Sequence, residues 1–149
     1  MALETQLNAD IAAAMKAKET VKLGTFRMLK SALTNKSIEK GRALEPAEEL
    51  QVVASLVKQR RDSIEQFTAG NRPDLVAKEQ AEIAVLETLL PPAASDEDIA
   101  VAVEQAVTET GAAGPKDIGR VMKAAMSALS GKTADGKKVN EAVRARLSR

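Results

Sequence analysis

The chain has 149 residues, 22 Lys and Arg, 21 Asp and Glu, and a formal net charge of +1, with no Cys, no His and two Phe as its only aromatic residues. A chain of this length can bury a core without disulfides or metals. The missing Cys and His exclude thiol nucleophiles, imidazole bases and the usual zinc sites, so we expect no metal and no cofactor. No run approaches the roughly 20 apolar residues of a membrane helix, and no short apolar run follows a basic start. We therefore expect a cytoplasmic protein without membrane contact.

The charges are distributed unevenly along the chain. Residues 16–42 contain eight Lys and Arg against Glu19 and Glu39, residues 93–114 contain five acids and no base, and residues 115–149 contain nine bases against three acids. A local positive field attracts polyanions even when the whole molecule is nearly neutral. Bases also accumulate on any solvated helix face, so the distribution alone leaves both interpretations open.

Apolar residues recur at three- and four-residue steps through the first ninety residues, which predicts four helices. The predicted helices cover about residues 2–18, a segment beginning at Thr20, a segment from Pro46 to Thr68 or Ala69, and about residues 73–89. Pro46 suits the first turn of a helix, and Gly70 suits a helix end because glycine tolerates a left-handed conformation.

The stretch LLPPAASDED, residues 89–98, interrupts the helical pattern more strongly than any other. Pro91 and Pro92 lack N–H donors, and Pro92 disfavours helical geometry at the residue before it. Ser95, with Asp98 three residues later, matches a capping box at the start of a new helix. The stretch therefore predicts a domain boundary.

Three further helices are predicted beyond this boundary. They are separated by GAAGP, residues 111–115, and by the loop KTADGKK, residues 132–138. No strand-like alternation of useful length occurs. The sequence predicts an all-α protein with an N-terminal four-helix domain, residues 1–92, and a small three-helix tail domain, residues 93–149.

Two charged residues interrupt otherwise apolar stripes: Arg60 on the third helix and Glu79 on the fourth. A charge turned inward is costly unless it is paired. We therefore predict that these helices form a hairpin in which Glu79 meets Arg60, Arg61 or Lys58 as a structural ion pair. A catalytic carboxylate at Glu79 is the alternative, but general acid–base catalysis usually needs a second titratable group in the same pocket, and the pattern identifies none.

Other catalytic and phosphate-binding patterns are missing. GAAGPKDIG, residues 111–119, lacks the GxxxxGK[ST] spacing and follows a predicted helix instead of a strand, so it does not match a nucleotide-binding loop. The serines have no histidine partner anywhere in the chain. We therefore assign no catalytic residue.

The stretch GRVMKAAMSALSGKTADGKKVNEAVRARL, residues 119–147, combines small residues with positive charge. Gly119 lies inside a predicted helix, where it costs roughly 1 kcal/mol relative to Ala, so a close approach should offset that cost. We predict Gly119 and Gly131 as points of close approach, by another part of this chain or by a ligand backbone. Because aromatic side chains are almost absent, nucleic acid would be recognised by backbone and shape. The candidate phosphate contacts are Arg120, Lys123, Lys132, Lys137, Lys138 and Arg144.

These stretches carry a resemblance to a known family. VKQRRDSIEQF, PDLVAKEQAEIAVLETLLP and the C-terminal stretch resemble the YqeY family of the GatB/YqeY group over essentially the whole chain. Residues 95–148 are similar to the helical tail of the B subunit of the glutamyl-tRNA(Gln)/aspartyl-tRNA(Asn) amidotransferase. The G-x-V-M-K, G-K-x-A and V-N…L pattern of that tail is matched by Gly119, Val121, Met122, Lys123, Gly131, Lys132, Ala134, Val139, Asn140 and Leu147.

The resemblance implies a helical N-terminal domain joined to a tail that engages tRNA. In the amidotransferase, that tail grips the tRNA body, while amide transfer belongs to a separate catalytic domain and a glutaminase subunit. The family association is carbon–nitrogen ligase activity with glutamine as amido-N-donor. This chain supplies no recognisable ATP site, amidase nucleophile or ammonia channel, so we expect no such activity from the chain alone.

Three hypotheses of function remain. The first is a non-catalytic tRNA-binding accessory protein, whose tail contacts phosphates and whose N-terminal domain positions a partner such as the amidotransferase or an aminoacyl-tRNA synthetase. The second is a protein–protein adaptor without RNA contact, using the acidic fifth helix and the basic sixth helix as complementary surfaces. The third is direct participation in amide transfer.

Overall fold

The computed structural model describes residues 2–148, and the side chains of residues 3–148. Over this range the chain forms seven α-helices: α1 (Ala2–Ala17), α2 (Thr20–Lys40), α3 (Pro46–Ala69), α4 (Pro73–Glu87), α5 (Asp96–Thr110), α6 (Ile118–Ala128) and α7 (Gly136–Leu147). A short 3-10 turn, Pro115–Asp117, precedes α6. The described residues contain no strand beyond an isolated bridge between Ala93 and Thr133. The predicted all-α fold class is confirmed.

Several helix boundaries follow from local chemistry. Pro46 and Pro73 occupy the first turns of α3 and α4, where an N–H group would have no partner within the helix. At the start of α5, the Asp98 amide donates to Ser95 Oγ over 3.0 Å, and the Ser95 amide donates to the Asp98 carboxylate over 2.9 Å. This reciprocal pair is the predicted capping box, and it satisfies two backbone donors at the helix end.

The predicted sixth helix is shorter than expected. Residues 116–131 lie between the two predicted connections, but Pro115–Asp117 form the 3-10 turn and α6 ends at Ala128. The backbone at Gly131 has a φ of +94°, a conformation that strains residues with a Cβ. The glycine therefore lies in the turn that leads toward α7.

By their internal contacts, the helices group into two compact units, Met1–Leu90 and Pro91–Arg149. The N-terminal unit contains α1–α4, and the C-terminal unit contains α5–α7. The domains predicted at residues 1–92 and 93–149 stay a prediction, because a domain is defined by its ability to fold alone.

The N-terminal unit has one apolar core. The α1–α2 and α3–α4 pairs are its most extensive helix contacts, and α2 also packs on α3 and α4. The buried residues that form the core are Leu7, Phe26, Leu29, Leu33, Leu44, Val53, Leu56, Val57, Val85 and Leu86.

Arg60 is buried in this unit and pairs with Glu82, which corrects the predicted pairing with Glu79. Its Nε lies 2.9 Å from Glu82 Oε2, and its other nitrogens donate to the Leu56 carbonyl at 2.9 Å and to Met28 Sδ at 2.6 Å. Arg60 lies nine residues before the end of α3, and Glu82 lies nine residues after the start of α4. Residues equally distant from the turn of an antiparallel hairpin lie at the same level, so Glu82 meets Arg60 and Glu79 does not.

Glu49 is a second buried charge, and sequence reasoning missed it. It lies in the first turn of α3 and is 3% exposed. Among residues 2–148, Oε2 has no hydrogen-bond partner, and burial raises the pKa of the carboxyl group. Glu49 lies four residues before Val53, a core residue of α3. This spacing places both residues on the same face of the helix, so the sequence could have indicated that Glu49 is buried.

The C-terminal unit has a separate core, in which α5, α6 and α7 all contact one another. Its buried residues are Ile99, Ala102, Val103, Ala106, Val107, Val121, Ala125, Leu129, Val139, Val143 and Leu147. Within residues 2–148, no helix is both long enough and apolar enough to cross a membrane.

Candidate nucleic-acid interface

The loop between α6 and α7 carries the G-K-x-A motif and is engaged within the C-terminal unit. The Thr133 amide donates to the Pro92 carbonyl at 2.9 Å, and the Ala94 amide donates to the Thr133 carbonyl at 2.8 Å. The Thr133 hydroxyl donates to the Pro91 carbonyl at 2.6 Å. The loop therefore fastens the Pro-containing segment that leads into α5, a structural role that the sequence pattern did not suggest.

Lys132, a predicted phosphate contact, joins the same structure. Its ammonium group lies 2.8 Å from the Asp98 carboxylate, which is also part of the capping box of α5. The hydrogen bond from Lys132, followed by those from Ser95, lowers the pKa of Asp98 to about 2. The carboxylate is thus ionised at neutral pH and compensates the lysine.

Arg120 is also paired. Its Nη2 donates to Asp117 Oδ1 at 2.6 Å, and its Nη1 donates to the Thr110 carbonyl, near the end of α5, at 3.3 Å. The Ala113 amide donates to the second oxygen of Asp117 at 3.0 Å. This backbone bond, then the Arg120 bond, lowers the pKa of Asp117 to about 2. Through these hydrogen bonds, Arg120 and Asp117 connect the end of α5 and the GAAGP turn to the beginning of α6.

Two further cations of α7 face acids of α5. Lys138 lies 3.8 Å from Asp96, and Arg146, which sequence reasoning did not select, lies 2.6 Å from Glu104. Together with the Lys132–Asp98 pair, these contacts join the acidic helix to the basic residues that follow it. The six candidate phosphate contacts therefore do not form a uniformly uncompensated cationic face, because Arg120, Lys132 and Lys138 have carboxylate partners.

Lys123 and Arg144 differ from these three. Lys123 is exposed on α6, and no described carboxylate lies within ion-pair distance of it. The guanidinium of Arg144 donates to the neutral Asn140 Oδ1 at 2.7 Å. Both side chains therefore keep an uncompensated positive charge. Lys137, the second residue of α7, donates its amide to the carboxylate of Asp135, the N-cap residue, at 3.0 Å.

Among the described residues, none makes the close approach predicted at Gly119. The residue is exposed on α6, and a methyl group there would meet no heavy atom within 4 Å beyond its own helix. A methyl group at Gly131 would also meet nothing within 4 Å, and its positive φ explains that glycine instead. Intramolecular packing therefore accounts for neither residue.

A metal centre is not formed by the described side chains, among which no group of three or more Asp, Glu, His or Cys could hold an ion. A groove of about 460 Å³ lies between α2 and α3 in the N-terminal unit. It contains the ion pairs Lys36–Glu39 and Lys40–Glu48. Its charges are thus balanced locally, and the unpaired cations lie elsewhere.

The chain is similar to fungal proteins named "Altered inheritance of mitochondria protein 41, mitochondrial". It is 37% identical over 106 residues to that of Lachancea thermotolerans, covering 69% of this chain and 57% of the relative. For Saccharomyces cerevisiae the identity is 38% over 96 residues, covering 62% and 52%, and for Kluyveromyces lactis it is 39% over 107 residues, covering 69% and 57%. The chain thus spans little more than half the length of these curated relatives.

The comparison contradicts the cytoplasmic location expected from composition, because these relatives are mitochondrial proteins by name. Secretory signals and membrane helices do not distinguish the cytoplasm from an organelle, so their absence could not establish a cytoplasmic location. The cytoplasmic prediction is therefore wrong.

The family comparison covers nearly the whole chain. The model described as "Yqey-like protein" matches residues 4–147, which include both core clusters and the α6–α7 hairpin. The further similarity to the tail of the amidotransferase B subunit stays a prediction. The chain belongs to the family of YqeY-like proteins.

Proposed function

We propose that this chain is a non-catalytic accessory protein that binds tRNA through phosphate contacts of α6 and α7. The observation that carries the proposal is the outer surface of α6, where the uncompensated Lys123 lies one turn after the exposed Gly119. A ligand backbone can come close to a helix at glycine because no side chain intervenes. Arg144 adds a guanidinium whose partner is a neutral amide, and five N–H donors suit it to phosphate oxygens.

The paired cations support the same proposal more weakly. The side chains of Arg120, Lys132 and Lys138 are 60%, 48% and 60% exposed despite their ion pairs. Exposed ion pairs contribute only about 0–1 kcal/mol. A phosphate could therefore replace or share the carboxylate partner of Lys132 or Lys138 at small cost, whereas Asp117, the partner of Arg120, is buried. Lys123 and Arg144 need no exchange.

A titration of the purified chain with bulk tRNA at increasing salt tests the proposal. If three or four phosphates are contacted, log affinity should fall with log salt with a slope of about −3, from roughly −0.9 per phosphate for duplex-like nucleic acid. Lys123→Gln should reduce the steepness of that slope by about 0.9.

The matched control is Lys78→Gln, which removes an exposed lysine from α4 in the N-terminal unit. It makes the same change in net charge and should leave the slope unchanged. Absence of binding to tRNA at low salt would contradict the proposal, and an equal effect of the two substitutions would contradict the assignment to α6.

A protein–protein adaptor is the second candidate, and the exposed Met126 favours it. This side chain is 39% exposed and follows Gly119 and Lys123 at helical spacing, so another helix could pack on this face. The partner would be an amidotransferase or an aminoacyl-tRNA synthetase. Co-purification that survives RNase and is lost in Met126→Glu would favour the adaptor, and loss of the partner after RNase would favour the RNA proposal.

Direct amide transfer needs catalytic groups that the proposal does not assign to this chain. Incubation of the purified chain with Glu-tRNA(Gln), glutamine and ATP should yield no Gln-tRNA(Gln). Formation of that product in the absence of other proteins would replace the accessory role with an enzymatic one.

A further inference from the structure

The connection between α1 and α2 carries a second concentration of positive charge. The turn is closed by hydrogen bonds from the Lys18 amide to the Met15 carbonyl at 3.2 Å and from the Glu19 amide to the Ala14 carbonyl at 3.0 Å. The backbone of Lys18 has a positive φ of 57°, which lets the chain reverse between the helices. The hairpin cations, as we name them, are Lys16, Lys18, Lys22, Arg27 and Lys30.

These cations have almost no acidic partners. Glu19 is the only acid between residues 16 and 30, and it pairs with Lys22 at 3.3 Å. Among the described residues, no carboxylate lies within ion-pair distance of the other four hairpin cations. The local charge is therefore positive without compensation from another helix.

Arg27 is positioned by a neutral group. Its Nη2 lies 3.7 Å from Met15 Sδ, and the Met15 side chain is 53% exposed. A thioether is a weak acceptor and carries no charge. The contact can therefore hold the guanidinium on α1 while leaving its charge and most of its donors available, and it gives the exposed methionine a structural role.

The extent of the cluster suits several phosphates of one strand. From Lys22 to Lys30 the rise along α2 is about 12 Å, and a duplex strand carries a phosphate about every 3.4 Å along its axis. The nearby aromatic ring, Phe26, is only 7% exposed, so it offers no platform for base stacking. Recognition at this surface would therefore depend on phosphates.

We infer that the hairpin cations form a second RNA-binding surface, which contacts the sugar–phosphate backbone of the tRNA engaged by the C-terminal unit. The inference rests on the proposed function and adds a contact region in the N-terminal unit. Its basis is charge complementarity, because this surface holds four uncompensated cations and needs no ion pair to be broken before phosphate binds.

Titration of the full chain with bulk tRNA, comparing Lys18→Gln/Arg27→Gln with the unmodified chain, tests the inference. Loss of two phosphate contacts should make the slope of log affinity against log salt less steep by about 1.4–1.8. The matched control is Lys36→Gln/Lys58→Gln, which removes two cations that already pair with Glu39 and Asp62. The control should leave the slope unchanged, and equal melting temperatures would show that all variants fold.

The outcomes separate the two proposals. A reduced slope for both Lys18→Gln/Arg27→Gln and Lys123→Gln supports the inference, whereas an effect of the double variant alone would contradict the proposed contacts of α6. An effect of Lys123→Gln alone would overturn the inference and leave the proposed function standing, whereas absence of any tRNA binding would overturn both. Binding of the hairpin cations to vesicles of anionic phospholipid, with unchanged tRNA affinity in the double variant, would also overturn the inference.

Discussion

The hairpin cations of the N-terminal unit and the basic residues of α6 and α7 are similar in composition but different in electrostatic state. In the first region, Glu19 is the only acid among the five hairpin cations, and it pairs with Lys22. In the second, the acids Asp96, Asp98 and Glu104 of α5 each lie within ion-pair distance of a cation that is 34 or more residues away in the chain. A dense run of Lys and Arg therefore does not define a positive surface, because the acids nearest in space decide how much charge remains.

The largest expected effect on stability comes from the buried ion pair Arg60–Glu82 of the N-terminal unit. Replacing Glu82 by Gln should lower the free energy of unfolding by about 3 kcal/mol, because it leaves the buried Arg60 without its counter-charge. Urea denaturation measures this loss. Glu79→Gln is the control and should change stability by less than about 0.5 kcal/mol. Equal losses in the two variants would show that the register of the α3–α4 hairpin is not the one described.

The G-K-x-A loop provides the next test, because its structural role separates it from the uncompensated hairpin cations. Thr133→Val keeps the side-chain shape but removes the donor to the Pro91 carbonyl, and it should cost about 1 kcal/mol of stability. Thermal or urea unfolding measures the change. Thr108→Val removes the hydrogen bond that an exposed hydroxyl donates to the backbone carbonyl of Glu104, and it should have a smaller effect. A neutral Thr133→Val variant would contradict the fastening role of the loop.

Each of the two units contains an exposed glycine inside a helix. Gly24 in α2 and Gly119 in α6 both have open space where a Cβ would lie. Replacing either by Ala should raise stability by about 0.5–1 kcal/mol, because Ala loses less conformational entropy in a helix. Gly119→Ala should also weaken tRNA binding if the RNA backbone approaches this point. Unchanged tRNA affinity in a stabilised Gly119→Ala variant would contradict the close approach.

Neutralising acids of α5 should leave cations of the C-terminal unit uncompensated, as most of the hairpin cations already are. Asp96→Asn/Glu104→Gln removes the partners of Lys138 and Arg146. The affinity for tRNA at low salt should rise about two- to fivefold, as expected from surface pairs worth up to about 1 kcal/mol. Glu109→Gln combined with Glu97→Gln makes the same change in net charge on α5. If this control has the same effect, net charge and not the release of paired cations is responsible.

The smallest expected effect is a difference in acid sensitivity. The pKa of Asp98 is lowered to about 2 by Lys132 and Ser95, whereas an unfolded Asp titrates near a pKa of about 4. Its contribution to stability is therefore present above about pH 4 and is lost as the pH falls toward 2. Melting temperatures between pH 5 and pH 2 should fall less steeply for Asp98→Asn than for the unmodified chain. Asp62→Asn, at an exposed pair of α3, should retain the original slope.

Local sequence features predict the helices and most of their ends. The apolar spacing, the prolines at 46 and 73, and the Ser95–Asp98 capping box act within a few residues, so local physical chemistry predicts them. The same reasoning located the helix break within residues 89–98, and it listed Lys123 among six candidate phosphate contacts without distinguishing it from the others. It also identified Arg60 as a charge that needs a partner.

The ion pairs and hydrogen bonds between different helices and loops depend on the tertiary structure. Arg60 pairs with Glu82 because of the level at which α3 and α4 face each other, and Thr133 reaches Pro91 across 42 residues of chain. Such contacts depend on helix register and on loop paths, which residue spacing within one helix does not contain. For the same reason, the sequence could not show that acids of α5 compensate the basic residues of the C-terminal unit while the hairpin cations stay uncompensated.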